Sequence, residues 1–383
     1  MKALLVATLA TAGLAAALAA SAAEIDVMTQ NQYLGADIAP LVEPGLSDEE
    51  FLARLAAAFQ QVAANKPQER IQALAAEISG RQPHLVGLQE VFSFRCESLV
   101  PFDLCSQLPF AGAFNDHLAL MQQALGSRYR VVGEVRNLDI ALELEVLPGA
   151  SIVISVLDRD VILARSDVQA SALLPAVRDL ACGVPFRSAD GCNYQVTVPL
   201  ESLGTSIQRG YVAATAVVSG RPYLFVNTHL ETREPYAFFQ ALQAMELMGA
   251  VGGLSAGLGI PAIVVGDFNS SPNDTNPVYV PPIFPGVPEY VPSPYMTFSA
   301  TMTDAWMLRP GRAAGLSCCQ LADLSNHNSQ LYERIDLIWS SVPPLKVKQA
   351  RVIGETVNTK TVPPGRGKWP SDHAAVAATL QFP

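Results

Sequence analysis

The chain has 383 residues, half of them apolar, and its 35 acidic against 25 basic side chains give a formal charge of −10. That surface does not attract polyanions and no Lys/Arg cluster reverses it locally, so nucleic acid is disfavoured as a partner unless a bound metal adds positive charge at the site itself. Beyond the N-terminal leader no stretch is long and apolar enough to span a bilayer, which argues against a membrane-spanning chain.

The leader comes first. Lys2 is followed by an Ala/Leu-rich run to Ala20, and Ala20-Ser21-Ala22 offers small residues at the cleavage positions, so residues 1–22 read as a signal peptide removed near Ala22 or Ala23. Roughly 360 residues remain for a soluble, exported protein, expected as one domain over residues 23–383 with a large apolar core.

Ile25 to Asn31 alternates as a strand. Ser47 and Glu50 form a capping box, and Phe51, Leu52, Leu55, Ala58, Phe59 and Val62 follow at helical spacing. A second helix starts near Pro67, carries Ile71, Leu74, Ala75 and Ile78, and stops at Gly80. The apolar strand Leu85-Val86-Gly87-Leu88 ends in Gln89-Glu90. Further strands are expected at Tyr129 to Val135, Ile152 to Val156, Val161 to Ala164, Val212 to Val218, Tyr223 to Thr228, Ala262 to Val265, Ile335 to Trp339 and Ala374 to Leu380. Helices are expected at Asn115 to Leu125 and Pro235 to Met248. Leu174 to Pro199 and Pro272 to Pro294 read as long connections, and the prolines of the second forbid regular ladders. These elements make a single α+β domain of stacked sheets.

Six cysteines in an exported chain are expected to be bridged. Cys96 with Cys105 and Cys182 with Cys192 read as local staples. Cys318-Cys319 leaves two readings open, a vicinal bridge or cross-links to the other four. Adjacent cysteines lack the spacing of zinc ligands.

Polar side chains recur where strands end. Asn31, Glu90, His229, Asp267 with Asn269, Asp336, and Asp372 with His373 all sit at or beside such ends. Each has a bland alternative: Asn31 a turn residue, Asp336 half of an ion pair with Arg334, Asp372 the opening of an Asx turn. Together they supply what phosphodiester hydrolysis requires, oxygen ligands for a hard cation, a base for water and donors for phosphate oxygens, without a thiolate or nucleophilic serine. His84, His117 and His327 receive no role.

In this order, Asn31, Leu88-Gln89-Glu90-Val91, Asn227-Thr228-His229-Leu230, Gly266-Asp267-Phe268-Asn269, Arg334-Ile335-Asp336 and Ser371-Asp372-His373 resemble the endonuclease/exonuclease/phosphatase superfamily. Pancreatic-type deoxyribonucleases, abasic-site endonucleases, inositol polyphosphate phosphatases and neutral sphingomyelinases belong to it. Val161 to Arg165 and Gln208-Arg209-Gly210 are weaker matches. The resemblance implies a four-layer α/β sandwich of two packed, mostly antiparallel sheets with the site at one edge. It implies Glu90 as principal Mg²⁺ ligand (Mn²⁺ or Ca²⁺ being alternatives), with Asn31 beside it and Asp372 completing the metal or phosphate shell. Asp267 and Asn269 would orient water and phosphate, His229 and His373 would bind phosphate or shuttle protons, and Asp336 would fix the tautomer of His373. Asp304 is either a supporting residue or an ordinary turn acid.

Two departures matter. The second acid that some members carry just after the first asparagine is missing, since Gln32-Tyr33-Leu34-Gly35 precede Ala36-Asp37; one metal at Glu90 is therefore expected. The cysteine-bearing stretch from Asp167 to Gly204 lengthens the usual connection. The expected activity is a metal-dependent phosphodiesterase acting by direct attack of water, with lipid head groups as the first candidate substrate in the manner of a sphingomyelinase or phospholipase C, and Val278 to Phe284 as an apolar loop able to touch a membrane. A secreted nuclease using Arg128, Arg130 and Arg136, and a non-catalytic binding module, are the alternatives. No obligate protein partner is implied.

Overall fold

The computed structural model describes residues 23–382 except 44, 201, 202, 285 and 363–366; the expected leader lies outside the described residues. Two β-sheets pack face to face. The first contains β1 (Ala23–Asn31), β2 (Leu85–Gln89), β3 (Ser93–Ser98), β4 (Tyr129–Leu147), β5 (Ala150–Arg165), β18 (Lys346–Ile353) and β19 (Ala375–Phe382), in the order β18-β19-β1-β2-β5-β3 with β4 also paired to β5. The second contains β6 (Gln169–Ala172), β7 (Arg187–Ser188), β8 (Gly191–Asn193), β11 (Gly210–Val218), β12 (Arg221–His229), β13 (Ala262–Asp267), β16 (Thr303–Asp304) and β17 (Asp336–Ser340). Its order is β16-β17-β13-β12-β11-β8-β7, with β6 on β11. Two small ribbons, β9 (Val198–Leu200) with β10 (Thr205–Ile207) and β14 (Val278–Tyr279) with β15 (Tyr290–Val291), lie outside them.

Each sheet has one parallel pair, β1/β2 and β12/β13, and is otherwise antiparallel. Parallel neighbours need a crossover, and helices supply it. The first crossover is α1 (Asp48–Ala64) and α2 (Pro67–Arg81), and the second is α5 (Ala237–Leu258). Ser47 and Glu50 do form the capping box that starts α1. α2 and α3 (His117–Leu125) cover the outer face of the first sheet through Ile71, Leu74, Leu118 and Met121, and α5 covers the outer face of the second through Ala244, Leu247 and Val251. Three short helices, α4 (Pro175–Cys182), α6 (Pro294–Ser299) and α7 (Ala305–Leu308), decorate the second sheet. The result is an α+β four-layer sandwich.

Strand periodicity explains why the core and the polar residues share the same strands. Side chains two apart face the same way, and along the inward faces Ile25-Val27, Leu85, Tyr223-Phe225, Ile263-Val265 and Ile338 fill the space between the sheets. Continuing each alternation toward one edge gives Asn31, Gln89, Asn227-His229, Asp267 and Asp336. Because the parallel strands end at that edge while β17 and β19 begin there, all these groups meet.

Asn227 fixes the two sheets at this point. From the second sheet its Nδ2 donates to the carbonyls of Leu88 (2.9 Å) and Val161 (3.1 Å) in the first, and its Oδ1 accepts from Gln89 Nε2 (2.6 Å). A Cβ at Gly87 would lie 2.5 Å from that Oδ1, so only glycine permits the approach. Leaving one such partner buried and unpaired costs about 1–3 kcal/mol.

Several expected elements are corrected. Ile152–Val156 and Val161–Ala164 are one strand, β5, because Asp158, Arg159 and Asp160 are accommodated inside the sandwich rather than in a turn. β4 runs twelve residues past Val135, α5 ten past Met248, and β3 and β18 are additional. The Pro272–Pro294 connection holds the β14/β15 ribbon despite its prolines. Cys96–Cys105 and Cys182–Cys192 are bridged, and Cys318 is bridged to Cys319.

Candidate active site

A cleft of about 600 Å³ opens at the polar edge and is lined by Glu90, His229, Asp267, Asn269, Asp372 and His373 among others. Asn31 and Asp336 stand directly behind them. Asn31 Nδ2 donates to Glu90 Oε1 (3.0 Å) and to Asp267 Oδ2 (3.1 Å), joining the first sheet to the second. Its Oδ1 accepts the Tyr33 N–H (2.8 Å), which leaves one lone pair for a ligand role. Glu90, in the left-handed region at φ 54°, turns its carboxylate back so that Oε2 accepts the Leu34 N–H (2.8 Å).

Asp267 is the centre of the arrangement. It is 1% exposed; Oδ1 accepts the Asn269 N–H (2.9 Å), and Oδ2 lies 3.5 Å from His229 Nε2 and 3.7 Å from His373 Nε2. Burial pushes its pKa up to about 7, with His373 opposing and Asp336 adding to the rise. Gly266 precedes it because a Cβ there would sit 2.1 Å from the Thr228 carbonyl of the neighbouring strand.

The histidines differ. Arg209 Nη1 donates to His229 Nδ1 (2.8 Å), and a guanidinium has no acceptor, so the ring proton of neutral His229 is on Nε2, facing the cleft. Burial, then Arg209 and His373, hold its pKa well below the ordinary value. His373 Nδ1 donates to Asp336 Oδ2 (2.9 Å). Burial disfavours its charge, but Asp336, Asp267 and Asp372 outweigh that and raise its pKa well above the ordinary value. Asp336 thus pairs with His373, while Arg334 pairs with Asp304 (2.7 Å), which also caps α7 through the Trp306 N–H (2.9 Å). The ion-pair partner of Arg334 is thus Asp304 and not Asp336.

Asn269 donates through Nδ2 to the Leu230 carbonyl (3.0 Å) and lies 3.3 Å from His229 Nε2. Asp372 lines the cleft, its pKa raised to about 6 by burial, with His373 opposing and Glu90 adding. The excluded histidines lie elsewhere: His84 Nδ1 accepts the Asp26 N–H, His117 is buried at the start of α3, and His327 is exposed.

Sequence reasoning missed several groups. Asp158 and Asp160 face the inter-sheet space from β5, Asp160 with neither carboxylate oxygen partnered among the described residues. Burial raises the pKa of both, Asp158 to about 6. A charged i, i+2 pair interrupting an apolar strand was the available signal. Glu231, 3.5 Å from Arg209 Nε, lines the cleft with it. Buried Arg70 on α2 donates to the carbonyls of Gln32 (2.9 Å), Tyr33 (3.1 Å) and Pro370 (2.9 Å), clamping the loops that carry Asn31 and His373. An arginine in the apolar stripe of α2 was its signal. Arg128, Arg130 and Arg136 do not line the cleft; they bond to carbonyls of α3, to Val168 and Ala170, and to Glu134 with Asp139.

The donor set suits a hard divalent cation. Glu90, Asp267 and Asp372 offer carboxylate oxygens, Asp336 Oδ1 is buried without a partner among the described residues, and Asp267, Asp336 and His373 bring ligand atoms within 4.8 Å of one another. Cys318 and Cys319 lie as close to His373, but their sulfurs are bonded to each other and offer no thiolate.

The model of the Endonuclease/Exonuclease/phosphatase family matches residues 57–373. The chain belongs to this family. It is accordingly a metal-dependent phosphoric ester hydrolase, as are the members of the Endonuclease/Exonuclease/phosphatase family. No curated protein sequence matches it. Among solved structures, an endonuclease/exonuclease/phosphatase family protein from Bacteroides thetaiotaomicron is similar at 18% identity, covering 95% of this chain and 96% of that one with a TM-score of 0.55. A mannosyl-6-phosphatase from the same organism is similar at 18% identity, 94% and 100% coverage and a TM-score of 0.53. A family protein from Bacteroides vulgatus is similar at 15% identity, 94% and 99% coverage and a TM-score of 0.50. At these identities the likeness is one of fold.

Proposed function

We propose that the chain is an exported, Mg²⁺-dependent phosphodiesterase in which water attacks phosphorus directly and no covalent enzyme intermediate forms. The observation that carries this reading is the single oxygen, Asp267 Oδ2, 3.5 and 3.7 Å from the Nε2 atoms of two histidines inside an acid-lined cleft, one ring held from behind by a guanidinium and the other by a carboxylate.

Glu90 and Asp372 would hold Mg²⁺, with Asn31 as a further oxygen donor, and the bound ion would offset phosphate charge and polarise the P–O bonds. Asp267, with its pKa near neutrality, accepts a proton from water as the water oxygen bonds to phosphorus. The neutral Nε2–H of His229 and the Nδ2 of Asn269 hold a non-bridging phosphate oxygen. The His373 imidazolium stabilises the developing charge. As the P–O bond to the leaving group breaks, His373 Nε2 protonates that oxygen, and the proton on Asp267 returns across 3.7 Å to His373.

Lipid head groups fit this cleft better than nucleic acid. Its wall also carries Asp37, Glu43, Glu231 and Glu234, and its guanidinium, Arg209, is buried against His229. A polynucleotide needs a basic track for its backbone. Export is the reading of residues 1–22 and accords with the three bridges.

Dialysis against EDTA should abolish hydrolysis of bis-p-nitrophenyl phosphate and Mg²⁺ should restore it, with sphingomyelin vesicles turned over and plasmid DNA left intact. Full activity in EDTA would refute metal dependence, and DNA cleavage without vesicle turnover would reverse the substrate order.

A further inference from the structure

A second cavity, of about 110 Å³, adjoins the catalytic cleft and differs from it in kind: among the described residues, every one that lines it is apolar. It lies between α1 and the β4/β5 hairpin. Phe59 and Phe94, edge to face at 5.5 Å, are buried at its base, and Leu138, Ile140 and Leu142 form one wall. The alternation along β4 explains the absence of charge. Leu138, Ile140, Leu142, Leu144 and Val146 pack toward α1 while Asp139, Glu143 and Glu145 take the opposite, exposed face.

Well-packed cores leave few voids larger than a water molecule. Here the three wall residues on β4 are only half-buried, and the cluster they belong to is the one flanked by the largest set of partly buried apolar side chains. The slot lies directly beside the cleft, since Leu34, Ile38, Val42, Phe92, Leu138 and Ile207 line both. A ligand spanning the two meets carboxylates and histidines at one end and hydrocarbon at the other.

Resting on the phosphodiesterase reading above, we infer that this slot is a tail-binding subsite: it takes the first carbons of an alkyl or acyl chain attached to the phosphoester, so that the protein draws the substrate's tail into itself. The substrate class is then an amphiphilic phosphoester recognised as a monomer, with the phosphate at Asp267 and the chain running between α1 and β4. The slot is smaller than a cavity of about 150 Å³ that holds benzene, so the chain beyond about the first four or five carbons leaves it.

The test separates binding from turnover by using n-alkylphosphonates, whose C–P bond the proposed reaction does not break. Calorimetric affinity, measured with Mg²⁺ from methyl- to octylphosphonate, should rise roughly three- to fourfold per methylene and level off near the middle of the series. Ala58→Phe, which fills the slot from a half-buried position on α1, should flatten the series while leaving methylphosphonate affinity and bis-p-nitrophenyl phosphate hydrolysis unchanged. Leu142→Ser, on the opposite wall, should reduce the gain per carbon. A flat series in the wild-type protein overturns the inference, as does an unchanged rise in a folded Ala58→Phe protein. A rising series in a protein with no phosphodiesterase activity leaves the tail subsite standing and removes the reaction assigned above.

Discussion

His229 and His373 lie 3.5 and 3.7 Å from the same carboxylate oxygen, yet the pKa of one is held well below the ordinary value and that of the other well above it. The difference comes from what holds the far nitrogen of each ring. A guanidinium donates to Nδ1 of His229, forbidding a proton there, whereas a carboxylate accepts from Nδ1 of His373 and favours one. Burial lowers the pKa of both rings; at His229 the Arg209 guanidinium adds to that effect, whereas at His373 the carboxylates of Asp336, Asp267 and Asp372 outweigh it. Neighbouring histidines in one cleft can therefore serve as a neutral donor and as an acid.

Removing the acid should cost most. His373→Gln is expected to lower kcat on bis-p-nitrophenyl phosphate roughly 10²–10⁴-fold, and His229→Gln, which removes one phosphate donor, about 10²–10³-fold. Equal losses with identical pH profiles would dissolve the distinction between the two rings.

Asp336→Asn should have a smaller, pH-dependent effect. The raised pKa of His373 means that its charged form, and the stability it contributes, are fully present below about pH 6.5 and are lost as pH rises through the higher folded-state value. Without the Asp336 carboxylate that value drops, so the alkaline limb of the kcat profile should move to lower pH. An unmoved limb would show that Asp336 does not set the charge of His373.

Much of this site was legible because strands place polar ends on apolar runs. Gly266-Asp267-Phe268-Asn269 and Asn227-Thr228-His229 announce themselves by composition, and one face of each strand carries the signal from core to cleft. Asp158 and Asp160 were lost for the converse reason: charge inside a strand reads as a turn, and only the opposite sheet with Arg209 makes the position habitable. Arg70 and the apolar slot depend on segments far apart in sequence. α1 and the distal half of β4 each look like ordinary amphipathic elements until they face one another.

The central claim is that Asp267 activates water in a metal-dependent hydrolysis. The most direct measurement is kcat of Asp267→Asn on bis-p-nitrophenyl phosphate in saturating Mg²⁺, with folding verified by an unchanged circular dichroism spectrum. The account predicts a fall of roughly 10²–10⁴-fold; a folded Asp267→Asn protein turning over within a few-fold of wild type would contradict it.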